Sequence, residues 1–270
     1  MEDIRQAVER AKIESELRSA PRLEPMRNRA ADDRPAERKR SLREVKLESA
    51  FLQSRRIVAH DGQDPRSLPF DILRTEVLRA MDLKGWKTLA ITSPTPGCGK
   101  TFMAINLALS MARVPERQVS LLDFDLRRPQ VGRTLNLRAT EGVTDVLEGR
   151  LDADNATVNV RAGSSNLEVM PTGSSSNPSD LVASSATTKF LDGLARHGQT
   201  QIVVLDLPPL LTGHDVISIL PHIDCVLLVA AVGTSKVSEI EQCKKYLQAT
   251  DMVRVVVNKA PLATTHGYYY

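Results

Sequence analysis

Little in this 270-residue chain offers covalent or metal cross-linking. Its three cysteines, Cys98, Cys225 and Cys243, stand far apart and form neither a C-x-x-C pair nor a metal-ligand spacing, which excludes a disulfide framework and points to a reducing compartment. The five histidines share no spacing, so no metal role is read from them. Aromatic residues make up only 4% of the chain, with Trp86 its one tryptophan, so there is no platform for stacking bases and nucleic acid is not expected as a partner. Long hydrophobic runs are missing too. The longest, such as "CVLLVAAVG", fall well short of the roughly 20 residues that span a bilayer. The N-terminus, "MEDIRQAVERAKIESEL", lacks the basic-then-apolar layout of a secretory signal, and the expected location is the cytoplasm.

The net charge of +3 is unevenly spread. Residues 1–60 carry 15 Lys and Arg against 11 Asp and Glu, whereas the remainder carries 21 against 22. Charge-rich stretches such as "RNRAADDRPAERKRSLREVK" bury too little apolar surface to offset the entropy of ordering, so residues 1–60 are expected to form a largely mobile arm. One helix is read over residues 1–19, where Ile4, Val8, Ile13 and Leu17 approximate a face. An anionic membrane surface or an acidic partner would attract this arm, and a solvated tail without a partner explains it equally well.

From residue 61 to 262 short apolar runs alternate with helical patterns: "TLAITS" at 88–93, "VSLLDFD" at 119–125, "LEVMPTG" at 167–173, "IVVLDLPP" at 202–209, "CVLLVAAV" at 225–232 and "VRVVVN" at 253–258. The expected fold is α/β, a doubly wound, mostly parallel sheet flanked by helices, with one principal domain of the size this length allows. Residues 161–166 and 172–179 read as loops. Ligands in such folds sit at the carboxyl ends of the strands.

The first run ends in "SPTPGCGKT", residues 93–101, and passes into the apparent helix "FMAINLALSMA". Strand, glycine-containing loop, Lys-Thr and helix is the layout of a P-loop. Its backbone N–H groups cradle phosphates, Lys100 reaches the β and γ oxygens of ATP, and the Thr101 hydroxyl is a ligand for Mg²⁺. Nucleotide contacts are expected from Pro96 through Gly97, Cys98, Gly99, Lys100 and Thr101 to Phe102. Pro94 stands where the P-loop pattern G-x-x-x-x-G-K-[ST] has its first glycine. Cys98 reads as an inert loop residue or as a thiol-sensitive point. Two further strand ends are acidic: "LLDFDLRRP" supplies Asp123 and Asp125, and "VVLDLPP" supplies Asp206. Carboxylates there can hold Mg²⁺ or accept a proton from an attacking hydroxyl. Arg127 and Arg128 read either as a clamp for phosphate or a partner's tail, or as solvated surface.

Taken with "EGVTDVLEG" at 141–149, "VMPTGSSSNPSDLVASS" at 169–185 and "VVVNKAP" at 255–261, these motifs resemble the bacterial protein tyrosine kinases, the BY-kinases of the CpsD/CapB type, within the MinD/ParA lineage of P-loop ATPases. The resemblance runs from about residue 65 to the end. It implies an ATP-dependent tyrosine autokinase that controls exopolysaccharide or capsule synthesis or export. It assigns Lys100 to the phosphates, Thr101 and Asp206 to Mg²⁺, Asp123 to activation of the acceptor tyrosine with Asp125 assisting, and Asn258 to adenine. It also implies an activating segment lent by a membrane chain-length-control (co-polymerase) protein, recruitment to the inner face of the membrane, and a homo-oligomer. The family's E-x-x-R-x-x-R helix is degraded here: "LPFDILRTEV" keeps Arg74 and Thr75 but has Leu68 and Asp71 at the first two positions. Thr95 replaces the second lysine that MinD/ParA ATPases carry, which counts against the runner-up, a nucleotide-dependent switch without kinase activity.

Three of the four tyrosines, Tyr268, Tyr269 and Tyr270, are consecutive in the segment 263–270, and the resemblance makes them the phosphoacceptors, modified in trans. Tyr246, inside "SEIEQCKKYLQ", is expected to pack.

Overall fold

A computed structural model describes residues 42–175, 177–194, 201–213 and 215–261, all within one compact unit. Its strands are β1 (Arg43–Lys46), β2 (Thr88–Thr92), β3 (Gln118–Asp123), β4 (Val158–Ala162), β5 (Ser165–Met170), β6 (Gln201–Asp206), β7 (Cys225–Ala231) and β8 (Asp251–Asn258). Its α-helices are α1 (Ser49–Ser54), α2 (Leu68–Lys84), α3 (Lys100–Met111), α4 (Val131–Thr134), α5 (Val143–Leu147), α6 (Pro178–Val182), α7 (Ser185–Leu194), α8 (Asp215–Ile219) and α9 (Val237–Tyr246). The strands form one sheet in the order β1-β4-β5-β3-β6-β2-β7-β8, parallel at every pairing except β4 with β5. The doubly wound α/β expectation holds.

Alternation along the strands divides the core in two. Leu89 and Ile91 of β2, Leu121 of β3 and Val204 of β6 face a cluster built with α1, α2 and α3. Ala90, Leu122, Val203 and Leu205 of the same strands face the opposite cluster, built with α5 to α9. Central strands with helices on both faces bury both of their sides, and β2 and β7 are buried throughout. Helix α3 is apolar nearly all round, with nine consecutive buried residues from Met103 to Met111, because α2 covers the side that the sheet does not.

Two boundaries differ from the sequence reading. Residues 43–60 are not part of a mobile arm. β1 pairs in parallel with β4, and Leu52, Ile57, Val58 and Ala59 lie in the core. The Asn106 side chain of α3 fixes this segment, its Oδ1 accepting from the Val58 and Ala59 N–H groups at 2.9 and 3.2 Å. β1 escaped notice because it is a four-residue edge strand with three exposed residues, so it carries no hydrophobic signal. Residues 161–166 are likewise a hairpin rather than a loop, with Ala162 paired to Ser165 around Gly163 and Ser164. Gly163 sits at φ 56° and packs so closely on the His60 carbonyl, 2.8 Å from where a Cβ would stand, that no larger residue fits.

Asp71 of α2 faces inward. It accepts from Ser110 Oγ at 2.5 Å and Arg113 at 2.8 Å, and Arg74 turns back onto Asp71 and the Ser110 carbonyl. Burial alone would raise the Asp71 pKa, but the bonds from Ser110 and Arg113 outweigh it and hold the carboxyl below its ordinary value. Tyr246, expected to pack, is 41% exposed at the end of α9. The proposed 1–19 helix and Tyr268, Tyr269 and Tyr270 lie outside the described residues.

Asn106→Leu leaves the Val58 and Ala59 N–H groups buried without an acceptor. It should cost about 2–4 kcal/mol of unfolding free energy in urea titration. A loss within about 0.5 kcal/mol would mean that residues 57–60 are not held by this side chain.

Candidate active site

The loop between β2 and α3 is held in shape by its own polar atoms. Ser93 Oγ donates to the Thr95 carbonyl at 2.9 Å, and the Cys98 thiol donates to the same carbonyl at 3.2 Å and lies 3.3 Å from Ser235 Oγ. Gly97 and Gly99 take φ of 84° and 90°, a region that side-chain-bearing residues avoid. A Cβ on Gly99 would also collide with the Asn258 amide. Helix α3 starts at Lys100 without a side-chain cap, so its first N–H groups and the positive end of its dipole point at the loop.

β3 and β6 pair in register with Asp123 opposite Asp206, which brings their acidic ends beside that loop. Lys100 Nζ lies 2.9 Å from Asp125 Oδ2 and 3.4 Å from Asp206 Oδ1. Thr101 Oγ1 donates to Asp206 Oδ2 at 2.6 Å. Asp123 Oδ2 accepts from the Gln130 and Val131 N–H groups at 3.0 and 2.9 Å, while its Oδ1 is buried without a partner. The fold thus gathers Lys100, Thr101, Asp123, Asp125 and Asp206 in one place, from three separate elements.

Electrostatics follow from that crowding. Burial pushes Asp123 up to about 7, reinforced by the Asp206 charge and opposed by the Val131 N–H and Lys100. Burial also raises Asp206, against the pull of Lys100 and Thr101. Burial would lower Lys100, but Asp206 and Asp125 outweigh it, so its pKa is raised and the ammonium stays charged.

A cavity of about 510 Å³ opens over this cluster. Pro96, Gly97, Gly99, Lys100, Thr101, Phe102 and Asp125 form its wall as the motif implies. Cys98, Asp123 and Asp206 are fully buried and do not line it. Asn258 does not line it either. Its Nδ2 donates to the Cys98 carbonyl at 2.9 Å and its Oδ1 accepts from the Lys259 N–H at 2.8 Å, so it braces the loop from beneath. The rest of the lining, Arg127, Arg128, Gln130, Pro208, Pro209 and Thr212, was only partly foreseen. Gln130 and Thr212 carry no sequence signal.

A folded chain that keeps the Asp123 proton to higher pH than the unfolded chain loses stability as pH climbs from 3.8 toward about 7. Asp123→Asn removes that loss while leaving an oxygen for the Gln130 and Val131 N–H groups. Its Tm should therefore exceed the parent's at pH 8, with the gap closing toward pH 4. A gap that instead widens in acid would place the raised pKa on another group.

Comparison with known proteins identifies the chain's lineage. The ParA family model, described as NUBPL iron-transfer P-loop NTPase, matches residues 86–258. The chain is 31% identical over 222 residues to EpsB of Ralstonia solanacearum, covering 82% of this chain and 28% of that one, so it spans little more than a quarter of that relative. It is 29% identical over 181 residues to the tyrosine-protein kinase CpsD of Streptococcus pneumoniae serotype 4, 66% of this chain and 78% of that one. Among solved structures, the chimerical protein CapA2B2 superposes with a TM-score of 0.68 at 25% identity, over 82% of this chain and 94% of the other. The chain belongs to the ParA family of P-loop NTPases, and the relatives it is similar to include bacterial tyrosine-protein kinases.

Proposed function

We propose that this protein is an ATP-dependent tyrosine autokinase that phosphorylates Tyr268, Tyr269 and Tyr270 of a second copy. The observation that carries the reading is the convergence of Lys100, Thr101 and three strand-end carboxylates on a phosphate-binding loop. A phenol has pKa ~10 and needs a base at neutral pH. Asp123 fits that role, because its free oxygen and near-neutral pKa suit it to take a proton reversibly. The phenol oxygen bonds to the γ-phosphorus, the bond from that phosphorus to the β–γ bridging oxygen breaks, the phenol proton passes by way of Asp125 at the cavity wall to the buried Asp123, and ADP leaves. Lys100, held by Asp125 at the cavity wall, offsets charge on the transferring phosphoryl group.

The donor set also fits Mg²⁺. The Thr101 hydroxyl and an Asp206 carboxylate oxygen are hard donors 2.6 Å apart. Among the described residues no three acidic, His or Cys side chains make a self-sufficient metal cage. That arrangement suits a cation which shares its ligands with phosphate oxygens. When bound there, Mg²⁺ would neutralise charge on the β and γ oxygens.

The exopolysaccharide or capsule setting is carried over from the relatives, one of which is named for a cps region. The chimera CapA2B2, whose name joins an A and a B component, supports an activating partner of the membrane chain-length-control type. No helix among the described residues is long and apolar enough to cross a membrane, so in this reading a cytoplasmic chain reaches the inner membrane face through that partner or through its N-terminal arm.

Incubation with labelled ATP and Mg²⁺, followed by peptide mapping, tests the reading. Label should appear on residues 268–270 and be lost in Lys100→Met. Mixing the Lys100→Met chain with one whose three terminal tyrosines are Phe should label only the former. Phosphate release with an unmodified tail would instead make the protein a switch ATPase. Labelling should rise as pH passes through about 7, since Asp123 must be ionised to accept the proton.

A further inference from the structure

We propose that Arg127 and Arg128 form a phosphotyrosine subsite beside the reacting centre, which recognises a tail already modified at one tyrosine while another is presented for transfer. This inference rests on the kinase reading and adds to it a substrate preference, for tails carrying one phosphate over tails carrying none.

The cavity over the P-loop is lined also by both arginines and Pro208–Pro209, and a smaller hollow lined by Arg127, Thr212 and Val216 shares Arg127, Pro208, Pro209 and Thr212 with it. The turn that presents the arginines is fixed. The Arg128 N–H donates to the Asp125 side chain and carbonyl, each at 3.1 Å, and Pro129 restricts the following φ. Both guanidiniums therefore leave the backbone two and three residues after the carboxylate that holds Lys100. Both residues are exposed; Arg127 is already engaged by a neighbouring group, whereas Arg128 makes no ion pair among the described residues. A planar guanidinium with parallel donors matches a phosphate monoester better than a lysine does.

In the kinase reading the loop's N–H groups and Lys100 serve the nucleotide. The ligand left for the arginines is a second phosphate, and the acceptor supplies one. A phosphotyrosine carries roughly −1.5 to −2 charges. Tyr268, Tyr269 and Tyr270 are consecutive. In an extended strand the first and third face the same way about 7 Å apart. Phosphorylation of one would then hold the tail while its neighbour reacts, so multiply phosphorylated tails build up before unmodified ones are used up.

The test uses the full chain with MgATP and two peptides of residues 264–270, TTHGYYY and the same sequence phosphorylated on its last tyrosine. Labelling kinetics and the anisotropy of fluorescent versions are both read. The phosphorylated peptide should show a KM and a Kd about tenfold lower than the unmodified one. The ratio should fall to about one in the Arg127→Ala/Arg128→Ala variant and be partly kept in Arg128→Lys. Equal values in the parent, or a preference that survives the double substitution, overturn the subsite. So does weakened ATP binding with an unchanged peptide ratio, which would make the arginines a nucleotide clamp. If neither peptide is labelled, the kinase reading fails, and the anisotropy ratio still decides the subsite by itself.

Discussion

One ammonium group among buried carboxylates sets the terms for this molecule. Asp123 and Asp206 have no exposed surface, and Asp125 has almost none. Taking such charges out of water costs several kcal/mol each unless partners compensate. Lys100 supplies that compensation for Asp125 and Asp206, Thr101 adds a hydroxyl, and two backbone N–H groups take one oxygen of Asp123. The remaining Asp123 oxygen is left unpaired, and burial, reinforced by the Asp206 charge, pushes this carboxyl up to about 7. Strain of this kind is tolerated where chemistry needs it, and here it concentrates on the group best suited to receive a proton.

The sheet makes this convergence rigid. Parallel pairing of β3 with β6 puts Asp123 and Asp206 opposite each other, and the Phe124 N–H continues the ladder to the Asp206 carbonyl at 2.9 Å. β2 lies on the other side of β6, so its loop emerges next to both carboxylates. A slip of one residue in either strand would turn an aspartate into a helix-packed core. The apolar clusters on the two faces guard that register, and residues 43–60 extend the first of them under α3.

Much of this was legible because the signals are local. The apolar runs gave the central strands to within about three residues at their ends, and Gly97, Gly99, Lys100 and Thr101 carry their chemistry within one five-residue stretch. Asp123, Asp125 and Asp206 could be placed because strand ends in parallel sheets share one edge. What stayed hidden depends on contacts distant in sequence. β1 reveals itself only through β4, and the segment after it only through Asn106. The resemblance ties Asn258 to adenine, yet in this fold both ends of its amide are engaged by the loop and the adjoining backbone. The rest of the cavity lining comes from the turns after β3 and β6, which no periodicity announces.

The central claim is that Lys100, poised by Asp125 and Asp206, reads the outer phosphates of a nucleotide. Calorimetric affinities for ATP and AMP, in Mg²⁺, measure this directly in the parent and in Lys100→Met. The account predicts that the parent favours ATP by at least about tenfold and that the variant binds the two alike. A variant that keeps the parent's full preference would contradict it.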